Sequence, residues 1–176
     1  MIPESTRAIG DSIESLFQGV TIAQQELFNY WKRLRDRSGC VPRDEIDPGA
    51  LRSMLASISI VQFDESGDGR FRIAGSRLRD IFGMEARGRR IAEVIGAHGE
   101  AFSLGLSVAL ERRGPVGGVI EQEDGMHAWL RLPLADSNGQ LTMVLCHDEM
   151  LPSRRMLFPK DGQTSAVHNS SPRAAA

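Results

Sequence analysis

The chain has 176 residues, 41% of them apolar and 25% charged, with a formal net charge of -2. That length supports one stable core without disulfides or metal, and the slightly acidic balance excludes a broad nucleic-acid surface, which needs a clear Lys/Arg excess. Cys40 and Cys146 form no C-x-x-C pair and are too few for a disulfide scaffold; with no apolar run of about 18 residues and no basic-then-apolar leader, the expectation is a cytoplasmic protein that neither spans a membrane nor binds nucleic acid.

From Ile9 to Arg37, the residues Ile9, Ile13, Leu16, Phe17, Val20, Ala23, Leu27, Phe28, Trp31 and Leu34 recur at three- and four-residue steps. That spacing predicts an amphipathic helix, with Gly19 and Thr21 permitting a bend or a break into two. Gly39 and Pro42 end it. Asp47-Pro48 carries helix-start chemistry and predicts a short helix to Met54. Ile58 to Phe63 and Arg70 to Ala74 read as the two arms of a hairpin about Glu65-Ser66-Gly67-Asp68-Gly69. Leu78, Ile81 and Phe82 then repeat at helical spacing up to Gly83, and a further short turn holds Ile91, Val94 and Ile95. A longer helix is predicted from Gly99 to Arg113, closed by Gly114-Pro115.

The last third reads as a three-stranded meander, Val116 to Gln122, Met126 to Leu134 and Gln140 to His147. Its connectors Glu123-Asp124-Gly125 and Asp136-Ser137-Asn138-Gly139 carry turn chemistry. Beyond Pro152 the composition turns to Ser, Pro, Ala and Gln, and residues 160–176 are expected to be disordered. The expected organisation is a helical extension over residues 1–25, one domain over 26–152 and a tail over 153–176. Its fold class is α+β: a five-stranded antiparallel sheet with short helices on one face and the N-terminal helix on the other.

The ordered residues Tyr30-Trp31, Leu34-Arg35, Val41-Pro42-Arg43, Ile46-Asp47-Pro48, Leu51, the run Arg70 to Leu78, Ile81-Phe82-Gly83, Arg87-Gly88 and Pro133-Leu134 resemble the PAS domain superfamily. More closely, they resemble its compact single-domain family abundant in alphaproteobacteria, PAS family 5, over residues 26–150. The resemblance implies a bacterial sensory or protein-interaction module, with a small pocket between sheet and helices and pairing through flanking helices. It implies no shared cofactor.

Specific chemistries are poorly supported by the residues. The N-C-R-F-L-Q-type run of flavin photosensors is absent. His98 lies before the longer helix from which haem sensors take a ligand, and reads better as an exposed loop residue. His98, His127, His147 and His168 share no metal-ligand spacing, and a metal at the strand end His147-Asp148-Glu149 is not expected. No tightly bound cofactor is expected. There is no G-x-S-x-G elbow, and Gly67-Asp68-Gly69 has no P-loop lysine. Asp136 and Asp148 read as exposed carboxylates at turns or strand ends.

Charge is unevenly spread. Lys32, Arg33, Arg35 and Arg37 form one basic group, and Arg70, Arg72, Arg77, Arg79, Arg87, Arg89 and Arg90 a second. The second reads first as a solvated face and next as a site for an anion or acidic partner. On the fourth strand, His127, Trp129 and Arg131 share one face and Ala128, Leu130, Leu132 and Leu134 the other. The leucine face is expected to join the helices, so that Phe71, Ile73, Leu78, Phe82, Phe102, Leu106, Leu130, Leu132 and Met143 line either a filled core or a pocket for a small apolar ligand. The other face, with Trp129, Arg72 and Arg131, is expected to meet the leading helix. Phe17, Val20, Leu27, Phe28, Trp31 and Trp129 then form an interface, within the chain or between two copies.

The expected function is a non-enzymatic regulatory module that binds a small ligand or a regulatory protein partner and signals through protein contacts, as a homodimer. A ligand-free dimerisation or scaffolding module is the alternative. A small acid–base enzyme is the third reading; it requires a polar pocket with a desolvated carboxylate.

Overall fold

Thr21 starts the first helix of the computed structural model, which describes residues 21–94, 99–122 and 125–152. Its hydroxyl accepts the Gln24 N–H and satisfies one of the free donors of the first turn. Helix α1 runs Ile22–Ser38 and closes at Gly39, whose φ of 75° lets its N–H reach the Arg35 carbonyl. Of the predicted stripe, Ile9, Ile13, Leu16, Phe17 and Val20 lie outside the described residues. No helix among the described residues is long and apolar enough to cross a membrane.

Residues 48–54 are not the predicted helix. They form successive turns, with Leu51 N–H bonded to Pro48 O, Arg52 N–H to Gly49 O and Met54 N–H to Leu51 O, before a single 3-10 turn at Leu55–Ser57. Tight three-residue bonding stacks Leu51 directly over Met54, and both are buried. Asp47 does cap, its carboxylate accepting the Gly49 N–H.

The sheet is antiparallel, in the order β2-β1-β5-β4-β3. Its strands are β1 (Ile58–Phe63), β2 (Gly69–Ala74), β3 (Val116–Gln122), β4 (Gly125–Ala135) and β5 (Leu141–Leu151). Helices α2 (Leu78–Phe82), α3 (Ile91–Val94) and α4 (Gly99–Arg112) lie between β2 and β3 in sequence. Turn carboxylates fold the β1–β2 and β4–β5 hairpins: Asp64 Oδ1 accepts from Ser66 N and Asp68 N, and Asp136 Oδ1 from Asn138 N and Gln140 N. Asp136 is thus the turn residue expected, and these hydrogen bonds, led by that from Gln140, hold its carboxyl below the usual range. Strand β5 runs four residues beyond the predicted end, which places His147, Asp148 and Glu149 inside the sheet. Ile95 and His98, Glu123 and Asp124, and the tail from residue 153, His168 included, fall outside the described residues.

Two apolar clusters sandwich the sheet. Leu27, Phe28, Trp31 and Leu34 of α1 pack with Ile58, Ile60, Leu130, Leu132, Leu134 and Leu145. At about 1.5–3 kcal/mol for each large side chain fully buried, this layer is a principal source of stability. Tyr30, midway along α1, ties the helix to the following segment, its hydroxyl donating to Glu45 O and accepting from Asp47 N. The opposite cluster joins Val61, Phe71, Leu78, Ile91, Phe102, Leu106, Val144 and Cys146. There Phe71, Phe82 and Phe102 form a ring triad with centroids 5.5–6.1 Å apart.

The two faces of β4 are therefore the reverse of the expectation. Leu130 and Leu132 pack under α1, and Trp129 and Arg131 face α4. Arg131 is not solvated behind the sheet; it is 1% exposed. The leucine face is the flat apolar surface a long helix can cover. The polar face is burial-competent because β5 supplies a carboxylate beside it.

Candidate functional site

Alternation along β4 puts His127, Trp129 and Arg131 in the hollow beneath α4, and pairing with β5 sets Trp129 opposite Asp148 and Arg131 opposite Cys146. The Arg131 guanidinium meets Asp148 in a bidentate pair, Nη1 to Oδ2 at 3.1 Å and Nη2 to Oδ1 at 2.7 Å. His127 Nε2 lies 2.8 Å from Asp148 Oδ1. Arg131 Nη1 also donates to Leu130 O. Its guanidinium carbon stands 4.3 Å from the Phe102 ring centroid and 5.5 Å from that of Trp129, within cation–π range of both.

Asp148 is fully buried, which corrects the reading of it as an exposed strand-end carboxylate. Burial alone pushes its carboxyl up; the Arg131 charge and the His127 hydrogen bond outweigh this and hold it below the usual range. For Arg131, burial works against the charge and Asp148 more than restores it. The result is a locked ion pair with His127 as third member. Arg131 Nε is buried without a hydrogen-bond partner, a shortfall that calls for a physical account. Cys146 beside them is inert: burial pushes its thiol up to about 12.

Close approach of α4 depends on two glycines. A Cβ at Gly105 would stand 3.0 Å from Trp129 Cζ3, and one at Gly118 of β3 would stand 3.4 Å from Trp129 Cζ2. Gly105→Leu is expected to lift α4 from the sheet and destabilise the domain by about 1–3 kcal/mol, as overpacking does. Gly105→Ser should cost less. Urea unfolding midpoints check the order, and equal midpoints for parent and Gly105→Leu would show that α4 does not rest on Trp129.

A cleft of about 170 Å3 runs between α2 and the end of β5, lined by Arg77, Asp80, Ile81, Asp148, Glu149 and Met150. It brings the outside to the edge of the buried carboxylate. Glu149 Oε2 beside it is buried and unpartnered.

The residues expected to line a pocket are divided by the sheet. Phe71, Leu78, Phe102 and Leu106 are buried together in the hollow, with Phe82 packed against them. Leu130, Leu132 and Met143 belong to the α1 side, and Ile73 pairs with Ile60 on that side, 37% exposed at the sheet edge. Of the expected interface, Leu27, Phe28 and Trp31 are buried against the sheet, Trp129 lies across it, and Phe17 and Val20 are outside the described residues. The ion pair went unrecognised in the sequence because Asp148 was placed beyond the end of its strand. The signal was the alternation Val144, Cys146, Asp148 opposite Arg131 and Trp129.

His147 faces away from the hollow, 1% exposed, with Nδ1 unpartnered. Burial is the main cause of a pKa below its usual 6.5, opposed by the charges of Asp148 and Glu149. It is therefore neutral in the fold and takes up a proton more readily when unfolded. Its contribution to stability is complete above the unfolded value and declines as pH falls from about 6.5 toward its native value. His147→Leu is expected to flatten the fall in urea midpoint between about pH 7 and pH 5. An unchanged slope would show that another group carries it.

A family model described as PAS domain matches residues 20–139. No curated protein matches the chain. Among solved structures, the PAS domain of histidine kinase ThkA is 15% identical with a TM-score of 0.42, covering 52% of this chain and 97% of that one. The PAS domain of a protein from Colwellia psychrerythraea is 18% identical, with a TM-score of 0.40 and coverage of 60% and 98%. That of BvgS from Bordetella pertussis is 19% identical, with a TM-score of 0.36 and coverage of 65% and 94%. The matched stretch begins beside the cap of α1, takes in Arg131 and the helices over the hollow, and ends in the turn before β5 and its Asp148; at well over half of the sequence, it shows that this chain belongs to the PAS domain family.

Proposed function

We propose that the chain is a sensory or regulatory PAS module whose hollow takes a small polar ligand and whose response leaves by protein contact. The supporting observation is the buried Arg131–Asp148–His127 assembly beneath α4, with the cleft that reaches it. A buried ion pair is at best weakly stabilising compared with an apolar core, so stability alone does not account for it. Ionised, partly unpartnered groups in a cleft are the usual mark of a binding site. A cavity of about 150 Å3 holds a benzene-sized molecule, so this cleft suits a ligand of that size. Its polar lining favours a charged or hydrogen-bonding ligand over the apolar one expected from sequence.

Catalysis fits less well. Both oxygens of Asp148 are engaged by cations or donors, and a carboxyl held below its usual pKa is a poor general base. Sensing also agrees with the roles printed for PAS relatives in a histidine kinase and in light-responsive receptors.

A homodimer through the apolar stripe ahead of α1 supplies the protein contact. Ile22, at the start of α1, is 75% exposed, and Phe17 and Val20, three apart, lie just before it in the sequence. Native mass spectrometry of the full chain purified without denaturant tests both halves. The expected result is a dimer carrying a small polar molecule that is lost from the Arg131→Met/Asp148→Leu variant, and a monomer for Phe17→Asp/Val20→Asp. A bare protein whose unfolding temperature no small polar molecule shifts would overturn the ligand half. A dimer that survives Phe17→Asp/Val20→Asp would overturn the other.

A further inference from the structure

The second arginine group, which the sequence reads first as a solvated face and next as a site for an anion or acidic partner, is a structured surface. Residues 69–94 hold seven arginines and three carboxylates, a surplus of four positive charges in a chain of net charge -2. Five of those arginines meet along the outer edge of β2, where the segment 88–90 folds back on the strand. Phe71 N–H bonds to Arg89 O at 2.9 Å, Gly88 N–H to Phe71 O at 2.8 Å and Arg70 Nη1 to Gly88 O at 2.7 Å. Arg70 and Arg90 stand as a bridged pair across this ribbon. Opposite Ile60 and Val61 the register of β2 shifts, so Arg72 is an extra residue, and its Nε turns to Gln62 Oε1 at 2.7 Å.

Arg70, Arg72, Arg87, Arg89 and Arg90 are all exposed. Arg90 has a carboxylate partner, Asp68 at 3.0 Å; Arg70 and Arg72 bond to neutral oxygens. Like charges set opposite one another are destabilising. An edge that faces Arg70 with Arg90 and flanks both with Arg72, Arg87 and Arg89 keeps a positive field at the expense of stability. Within it lies Ile73, 37% exposed, one of the few large apolar side chains open on the described surface.

We propose that this β2 edge is the docking surface for an acidic segment of a partner protein, in which carboxylates flank an apolar residue. The guanidiniums of Arg72, Arg87 and Arg89 take the carboxylates, bidentate geometry favouring arginine, and Ile73 takes the apolar side chain. Nucleic acid fits less well. The residues outside 69–94 sum to a formal charge of -6, so a polyanion long enough to leave the edge is repelled by the rest of the molecule. A short acidic segment stays within the positive field. The surface shares no residue with the hollow's ion-pair assembly or with the Phe17 and Val20 seam, so this docking can fail while the ligand and dimer hold, and the reverse.

Fluorescence anisotropy with the full chain tests it. The probes are a labelled glutamate-rich peptide of about ten residues with a central leucine, the same peptide with lysine for glutamate, and single-stranded and duplex oligonucleotides. Saturable binding of the acidic peptide is expected, weakening as salt rises from about 0.05 to 0.5 M, with no binding of the lysine peptide. Arg87→Glu/Arg89→Glu, which breaks no internal side-chain bond, should lower affinity about tenfold or more. Ile73→Ser should lower it by a few-fold without changing the salt dependence. Three results would each overturn the proposal: no saturable binding of the acidic peptide, equal binding by Arg87→Glu/Arg89→Glu, or tighter binding of an oligonucleotide than of the peptide.

Discussion

Asp148→Ala is expected to destabilise the domain by about 3–5 kcal/mol, since it strands the buried Arg131 charge without its carboxylate. Arg131 is 1% exposed, and two of its donors reach Asp148; the Phe102 and Trp129 rings lie against it. The double variant Arg131→Met/Asp148→Leu removes both charges and keeps the volume, so it should recover most of the loss, as apolar replacements of buried pairs do. Urea unfolding of the parent, the two single variants and the double forms a complete cycle. A double variant as unstable as the sum of the two singles would show that the groups are not coupled. The pair also carries an acid signature. Asp148 titrates below its ordinary 3.8, so its contribution is complete above that value and is lost as pH falls further, through its native value. Asp148→Asn should lack that last acid limb.

The order of elements was legible because each depends on local chemistry. Glycines and turn carboxylates mark the ends of the hairpins, and three- and four-residue spacing marks α1 and α4. Alternation on β4 correctly divided His127, Trp129 and Arg131 from the leucines. Which face meets which layer was not legible, because alternation is symmetric: it separates two faces without saying what covers either. Polarity then misled. The face with Arg131 was expected against the leading helix, and it becomes the lining of the hollow only with Asp148, seventeen positions beyond Arg131 and set in register by the β4–β5 pairing. The pocket set failed in the same way. Its five helix-side members were gathered by spacing around Phe71, whereas Leu130 and Leu132 followed the wrong face. The short helix expected from Pro48 gave way to a run of three-residue turns.

That inverted face makes a second large effect specific to one residue. Trp31, 1% exposed, lies among the leucines of β4 and donates its indole N–H to Pro133 O at 3.0 Å. Trp31→Ala is expected to cost about 3–5 kcal/mol, from the apolar area lost and the cavity left between α1 and the sheet. Trp31→Phe keeps most of the packing and gives up that hydrogen bond, worth about 0.5–1.5 kcal/mol. The milder variant has a further use. Trp31 and Trp129 are the two tryptophans of the chain, so Trp31→Phe leaves Trp129 as its single indole. That indole lies in the hollow beside Arg131 and against Gly105 of α4. Its emission should therefore respond to a molecule entering the hollow and stay constant when an acidic peptide docks at the β2 edge. Had α1 rested on the Trp129 face instead, Trp31→Ala and Trp129→Ala would be coupled in a double-mutant cycle. With the sheet between them, the two losses should add to within about 0.5 kcal/mol.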